Sequence, residues 1–183
     1  SKSAKYLHLT SNNTIYGTQM RKFPKSPVPI VCDMSSDFLS RPFKPEQFGL
    51  IYAGAQKNLG PAGTTVVIVR DDMLGTVHRH LPSMLDYRTF VKENSLYNTP
   101  PVFPIYVSML TLRWIKKSGG LKALQRKNKA KALLLYDEID RNPLFRGTVA
   151  VEDRSYMNIC FVMNEKYAAL EGEFGKLCEA NGI

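Results

Sequence analysis

The chain has 183 residues, 44% of them hydrophobic, which is enough for a real core in one large domain or two small ones. Its net charge of +9 favours anionic partners such as phosphates, carboxylates, nucleic acid or a membrane surface. Three widely spaced cysteines form the pattern of neither a disulfide framework nor a zinc site, and they fit a reducing cytosol. No apolar run is long enough to span a bilayer and no signal peptide is recognisable, so we expect a cytoplasmic protein with no metal and no membrane partner.

The first half of the chain predicts short strands separated by turns. Strands are predicted at residues 6–9, 28–32, 49–53 and 64–70. Residues 28–32 (Val-Pro-Ile-Val-Cys) are wholly apolar, which indicates a strand buried on both faces, as in a parallel sheet. The last two strands are so close in sequence that we predict them to be antiparallel neighbours.

The second half predicts helices followed by a different pattern. Helices are predicted at residues 104–117 and 121–140, with the core side of the second formed by Leu124, Ala132, Leu135 and Ile139. Trp114 recurs at helical spacing and is expected in the core. Strands at 148–151 and 156–162 and a helix at 166–181 then predict a second domain, while residues 78–87 and 95–101 are expected to be irregular.

A basic cluster lies within the two predicted helices. Its members are Arg113, Lys116, Lys117, Lys122, Arg126, Lys127, Lys129 and Lys131. We interpret it as a solvated helix face. Nucleic-acid binding is the alternative from charge alone, but no aromatic residues interleave with the basic ones, so we expect no nucleic-acid partner.

Lys57 lies in a turn rich in glycine, alanine and proline between two predicted strands (residues 52–63, Tyr-Ala-Gly-Ala-Gln-Lys-Asn-Leu-Gly-Pro-Ala-Gly). A lysine that attacks a carbonyl must be fixed in place and partly desolvated. Asp33 ends the apolar strand, at the position where open α/β sheets bind ligands. Pyridoxal phosphate (PLP) chemistry needs such a pair, a lysine for the Schiff base and a carboxylate for the pyridine nitrogen. Spacing alone favours the plainer interpretation, a strand-end charge and a turn lysine.

Several neutral side chains could bind a phosphate, although each is also an ordinary turn residue. They are Thr14, Ser35, Ser36, Gln56, Asn98 and Thr99. The histidines are weaker candidates for catalysis. His78 and His80 are expected on the surface, and His8 is expected to be a hydrogen-bonded core residue.

Five blocks of sequence resemble the phosphoserine aminotransferase family, in the same order. They are residues 33–41 (Asp-Met-Ser-Ser-Asp-Phe-Leu-Ser-Arg), the block 52–63 given above, 82–87 (Pro-Ser-Met-Leu-Asp-Tyr), 97–101 (Tyr-Asn-Thr-Pro-Pro) and 154–158 (Arg-Ser-Tyr-Met-Asn). The lysine block is long and highly specific. The resemblance extends through nearly the whole chain.

The resemblance implies an α/β fold of the fold-type I PLP-dependent class V aminotransferases. Residues 1–122 would be the C-terminal part of the large, mainly parallel-sheet domain that binds PLP, and residues 123–183 the N-terminal part of a smaller α/β domain. The implied reaction transfers an amino group between glutamate and 3-phosphohydroxypyruvate in serine biosynthesis. In many bacteria the family also serves pyridoxine biosynthesis.

The resemblance also implies roles for single residues. Lys57 matches the Schiff-base lysine, and Asp33 matches the partner of the pyridine nitrogen. Thr14 matches the hydroxyl beside the phenolic oxygen of the cofactor, and Gln56 matches a phosphate ligand.

A homodimer is part of the implied active site. Asn98 and Thr99 match the pair that reaches the cofactor phosphate of the other subunit. Around Thr14 the family usually has Asn-Glu-Thr-Ile, whereas this chain has Asn-Asn-Thr-Ile, so that an exposed acid is lost.

Other family features lie outside this sequence. They are a Gly-Ala phosphate loop, a tryptophan that stacks on the pyridine ring, and the substrate-binding arginines and histidine. Family members are about twice this length, and the chain opens without a methionine close to an apolar segment, so we expect an internal fragment that lacks both ends. The alternative function is therefore a non-catalytic domain or an inactive fragment of such an enzyme.

Overall fold

The computed structural model describes residues 3–183. Its strands are β1 (Leu7–Thr10), β2 (Asn12–Asn13), β3 (Thr18–Gln19), β4 (Ile30–Asp33), β5 (Leu50–Gly54), β6 (Thr65–Val69), β7 (Phe145–Gly147) and β8 (Phe161–Met163). Its α-helices are α1 (Tyr87–Lys92), α2 (Val102–Lys117), α3 (Gly120–Arg141) and α4 (Glu171–Ala180). Short 3-10 helices lie at Pro45–Gln47, Asp71–Met73, Ser83–Leu85, Val151–Asp153 and Glu165–Leu170.

A four-stranded sheet in the order β1-β4-β5-β6 organises the first part of the chain. Strands β1, β4 and β5 are parallel neighbours, and β6 is antiparallel to β5. The predicted strands, the parallel sheet and the antiparallel last pair are thus confirmed. The fold is mixed α/β with a mostly parallel sheet, as the resemblance implied.

One face of this sheet carries the larger hydrophobic cluster. Alternate residues of β4 and β5 are buried, and they pack with the segments that follow these strands. The buried members are Ile30, Cys32, Met34, Phe38, Phe48, Ile51, Ala53, Ala55 and Leu59. On the other face Val31 and Asp33 are only half-buried. The prediction that β4 is buried on both faces is therefore wrong for the described residues, because its apolar side chains pack fully on one side only.

Helices α2 and α3 confirm the two predicted long helices within three residues at each end. Helix α1 has only 6 residues, and no element was predicted for residues 88–92, which follow the segment expected to be irregular. Asp86 caps it by accepting a hydrogen bond from the Arg88 backbone amide at 3.0 Å. None of the helices in the described part of the chain is long and apolar enough to cross a membrane.

A second, smaller core joins α3 to β7 and β8. Ala132, Tyr136 and Ile139 of α3 are buried there. The rings of Phe145 and Phe161 meet edge to face at 5.3 Å, and Phe145 pairs with Met163 across the strands. This aromatic contact fixes β7 at residues 145–147. The predicted strand at 148–151 is therefore wrong, and the predicted strand at 156–162 is confirmed only near its end, in β8.

Two predictions about helix faces are also wrong. Trp114 is 51% exposed, whereas Ser108 and Ile115 are the buried residues of α2. Leu135 is exposed on α3, whose buried positions recur every three or four residues through Asn128 and Tyr136. The predicted helix at 166–181 is split between the 3-10 helix Glu165–Leu170 and α4. All residues of the basic cluster are exposed, which confirms a solvated helix face.

Candidate active site

Three neighbouring strands deliver the candidate residues to one edge of the sheet. The parallel register pairs Thr10 with Asp33 and Asp33 with Tyr52, so that β1, β4 and β5 end side by side. Thr14 follows β1, Asp33 ends β4 and Lys57 follows β5. The carboxyl edge of a parallel sheet is the usual ligand site of α/β folds. The fold therefore brings an amine, a carboxylate and a hydroxyl to that edge.

The turn that carries Lys57 is fixed at both ends. The Ala55 carbonyl oxygen accepts hydrogen bonds from the amides of Leu59 and Gly60 at 3.1 and 2.8 Å. A Cβ atom on Gly60 would lie only 2.6 Å from Ser108 Oγ, so the turn packs directly on α2. This close approach explains the glycine. It also supports the expectation that Lys57 is held in place.

Lys57 Nζ donates a hydrogen bond to Thr14 Oγ1 at 2.9 Å. The two residues are 43 positions apart in sequence, so the contact is tertiary. Both side chains are exposed. The described residues thus orient the amine but do not desolvate it, contrary to the expectation of partial burial.

Within itself, the Thr14 loop is held by its own backbone and by the side chain of Asn13. Asn13 Oδ1 accepts hydrogen bonds from the amides of Ile15 and Tyr16, each at 3.1 Å. Gly17 has φ of 73° and approaches Cys160 so closely that a Cβ atom would lie 2.9 Å from its sulfur. A side chain there would strain the backbone and push the loop away from Cys160.

Asp33 is fixed at the end of β4. Its Oδ1 accepts a hydrogen bond from the Ser35 amide at 2.8 Å. The Ser35 hydroxyl in turn accepts one from the Gly54 amide at 3.0 Å, which ties the ends of β4 and β5 together. The Asp33 backbone carbonyl accepts from the Ser11 amide at 2.9 Å and thereby holds the end of β1 as well.

Tyr52 lies beside the candidate site and was not singled out from the sequence. It lies opposite Asp33 in the sheet, and its hydroxyl is 2.9 Å from His8 Nε2. Burial raises the pKa of the Tyr52 hydroxyl, and the negative charge of Asp33 raises it further. The available signal was its position in β5, since alternation places it on the same face as Asp33. His8 is hydrogen-bonded as expected, but it is exposed rather than part of the core.

The remaining candidates are not joined to Lys57 by the described contacts. Gln56 is exposed and lies against the backbone of Gly54. Asn98 and Thr99 lie in the exposed segment between α1 and α2, where Asn98 Nδ2 donates to the Thr99 carbonyl oxygen at 3.2 Å. Within residues 3–183, no hydrogen bond connects either of them to the sheet edge.

Three of the weaker candidates have structural roles or lie at the surface. Ser36 Oγ donates to the Asn12 carbonyl at 2.7 Å and accepts from the Asn12 side chain at 2.9 Å, so its hydroxyl is already occupied. His78 and His80 are exposed, as expected.

The comparisons with known proteins agree on one family. The family model described as aminotransferase class-V matches residues 1–183. A phosphoserine aminotransferase of Flavobacterium psychrophilum is 61% identical over 181 residues, which are 98% of this chain and 50% of that protein. The solved phosphoserine aminotransferase of Bacillus circulans subsp. alkalophilus is 54% identical with a TM-score of 0.93, over 100% of this chain and 50% of that one.

A third relative was solved with a ligand. The PLP-bound phosphoserine aminotransferase of Trichomonas vaginalis is 46% identical, with a TM-score of 0.85 over 89% of this chain and 48% of that one. The chain thus spans about half the length of the curated relatives that it matches.

Proposed function

Because the chain belongs to the class-V aminotransferase family, we propose that the sheet edge at Lys57 is the pyridoxal phosphate site of a phosphoserine aminotransferase. The observation that carries the proposal is the Lys57–Thr14 hydrogen bond at the carboxyl edge of the sheet, beside Asp33. The identity to relatives of that name supports the choice of reaction.

The residues present fit this cofactor. Its aldehyde needs a reachable amine, and Lys57 is exposed and oriented. Its pyridine nitrogen needs an acid, and Asp33 is held at the strand end by the Ser35 amide. Its phenolic oxygen can accept a hydrogen bond from a hydroxyl such as that of Thr14.

Each of these residues of the chain would then have a separate role in binding the cofactor or in moving a proton. When bound, PLP supplies an aldehyde that combines with amines and a ring that withdraws electrons. Lys57 Nζ holds the cofactor and later moves the proton at the α-carbon of the amino acid. The Asp33 carboxylate keeps a proton on the pyridine nitrogen, and Gln56 binds the phosphate group.

We also propose the finer assignments. Glutamate and 3-phosphohydroxypyruvate are the substrates, and the net charge of +9 suits such anions. The reaction serves serine biosynthesis, and pyridoxine biosynthesis where that pathway exists, in the cytoplasm. The protein acts as a homodimer in which Asn98 and Thr99 reach the cofactor phosphate of the partner subunit, an assignment supported by their exposure.

The domain division at residues 122 and 123 remains a proposal too. It is supported by the two separate hydrophobic clusters, one on the four-stranded sheet and one between α3 and the β7–β8 pair. Helix α3 begins at Gly120, so the boundary would lie in its first turn.

The proposal is tested by comparing Lys57→Ala with Lys129→Ala in the protein at its natural length. Lys129 is an exposed lysine of α3, which makes it a matched control. Incubation with PLP, borohydride reduction and peptide mass spectrometry should find the cofactor on Lys57 in the wild type and the control, and on no lysine in Lys57→Ala. Amino transfer should fall at least about 10²-fold in that variant alone. Cofactor on another lysine, or none in the wild type, would favour the non-catalytic alternative.

A further inference from the structure

The sequence block 154–158 contains none of the proposed cofactor ligands, yet its last residue contacts the Thr14 loop of the candidate site. Its last residue, Asn158, lies half-buried between the second core and the loop of residues 12–17. Asn158 Nδ2 donates a hydrogen bond to the Thr14 carbonyl oxygen at 2.7 Å. The two residues are 144 positions apart. The contact therefore joins the part of the chain after α3 to the loop that orients Lys57.

The amide of Asn158 is itself held in place on its other side. Asn158 Oδ1 accepts a hydrogen bond from Asn12 Nδ2 at 2.9 Å. Asn12 is buried at the start of the loop, and its own Oδ1 accepts from Ser155 Oγ at 2.5 Å. Ser155 is 0% exposed, and its hydroxyl also accepts from the Asn158 backbone amide at 3.2 Å. These bonds form a closed, partly buried network, which rigidifies the groups that it connects.

The backbone of the two segments is joined as well. The Ser155 amide donates to the Gly17 carbonyl oxygen at 2.8 Å, and Thr18 forms an isolated antiparallel bridge with Arg154. The loop has little apolar burial to hold it, since Ile15 is 82% and Tyr16 69% exposed. The position of Thr14 thus depends on hydrogen bonds rather than on packing.

We propose that Asn158 is a positioning residue for Lys57. It fixes the backbone carbonyl of Thr14, and the Thr14 hydroxyl accepts the hydrogen bond from Lys57 Nζ. This inference rests on the proposed function of Lys57 as the cofactor lysine. Asn158 does not touch the reacting atoms, and its effect passes through Thr14.

Asn164 offers a matched control. It is also half-buried, and its Nδ2 also donates to two backbone carbonyl oxygens, those of Pro143 at 2.7 Å and Phe145 at 2.9 Å. These bonds belong to the second core and do not reach the Thr14 loop. Asn158→Leu and Asn164→Leu therefore each remove a side-chain amide that donates to backbone carbonyl oxygens. Only Asn158→Leu should change the orientation of Lys57. Asn158→Asp removes the donor, adds a negative charge and keeps the acceptor oxygen that Asn12 contacts, and it serves as a second variant if the leucine variant does not fold.

The first measurements use the protein at its natural length without cofactor. Hydrogen exchange of the amides of residues 15–17 should become about tenfold faster in Asn158→Leu, because the loop loses its bond to the second segment. Lys57 should react about threefold faster with an amine-acylating reagent, because its bond to Thr14 is lost. Asn164→Leu should change neither value.

The last measurement uses PLP. Asn158→Leu should bind it with at least about tenfold lower affinity than Asn164→Leu, and transfer amino groups correspondingly more slowly. Unchanged loop exchange and Lys57 labelling in both Asn158 variants would overturn the positioning role, as would equal effects in Asn164→Leu. If the wild type takes up no PLP on Lys57, the proposed function fails, and the two cofactor-free readouts still judge the contact.

Discussion

The hydroxyl of Tyr136 makes a buried hydrogen bond whose removal has a calculable effect. It donates to the Ser155 carbonyl oxygen at 2.9 Å, and both residues are almost fully buried. Tyr136→Phe removes the donor and leaves the carbonyl without that partner, while the ring keeps its place beneath the Arg154 guanidinium at 4.7 Å. An unsatisfied buried carbonyl costs about 1–3 kcal/mol, which at a urea m-value of about 2 kcal/mol/M lowers the unfolding midpoint by about 1 M.

Urea unfolding followed by circular dichroism measures this change. Tyr106→Phe is the control, because Tyr106 is exposed on α2 and should stay within about 0.5 kcal/mol of the wild type. A Tyr136→Phe protein as stable as the control would refute the reasoning, since it would mean that the buried carbonyl is satisfied in another way.

The same residue gives this stability a pH dependence. Burial raises the pKa of the Tyr136 hydroxyl above its ordinary value of 10.0, and the Arg154 charge opposes the shift. A group with a raised folded pKa contributes stability below the unfolded value and loses it as the pH rises towards the folded value. The gap in stability between wild type and Tyr136→Phe should therefore narrow above about pH 10. A stability difference between wild type and Tyr136→Phe that widens above about pH 10 would contradict the raised pKa of the Tyr136 hydroxyl.

Two further predictions concern the sheet and the lysine turn. Cys32 is fully buried, and its burial, followed by the charges of Asp37 and Asp33, raises the pKa of its thiol to about 12. Iodoacetamide at pH about 8 should therefore alkylate the other two cysteines and spare Cys32 until the protein unfolds. Peptide mass spectrometry of the alkylated protein checks this. Gly60→Ala places a Cβ atom against α2 and should lower the free energy of unfolding, measured in urea, by about 1–3 kcal/mol. Gly172→Ala is the control, because its Cβ atom meets nothing within 4 Å and should cost no stability. Equal stability of the two variants would contradict the close approach of Gly60 to α2.

The sheet edge could be predicted from local sequence because its determinants are local. An apolar run that ends in Asp33 indicates a buried strand, and a short glycine-rich connection indicates an antiparallel return to β6. The resemblance to a family assigned both Lys57 and Thr14 to the cofactor, and the structure added their hydrogen bond, which no periodicity contains because the two residues lie 43 positions apart.

The incorrect predictions share a physical cause, which is tertiary contact. Periodicity gives the spacing of a helix face but not the partner that covers it. On α2 the turn at Gly60 selects Ser108 as a buried position, and Trp114 is left exposed. The same holds for β7, because the contact of Phe145 with Phe161 fixes the strand three residues before the predicted strand at residues 148–151.

Two kinds of contact determine the candidate site, and they have different consequences. The apolar cluster around Ile51 packs against one face of the sheet. Packing of this kind tolerates volume-conserving substitutions with little change in the positions of the strands. The Thr14 loop instead depends on directional hydrogen bonds, which Asn13 accepts and Asn158 donates, and such bonds fail when one partner changes. A conservative substitution in the cluster, such as Ile51→Leu, should therefore lower stability and leave the orientation of Lys57 unchanged. The residues that set this orientation lie 144 positions apart in the chain, which explains why no single stretch of sequence predicts it.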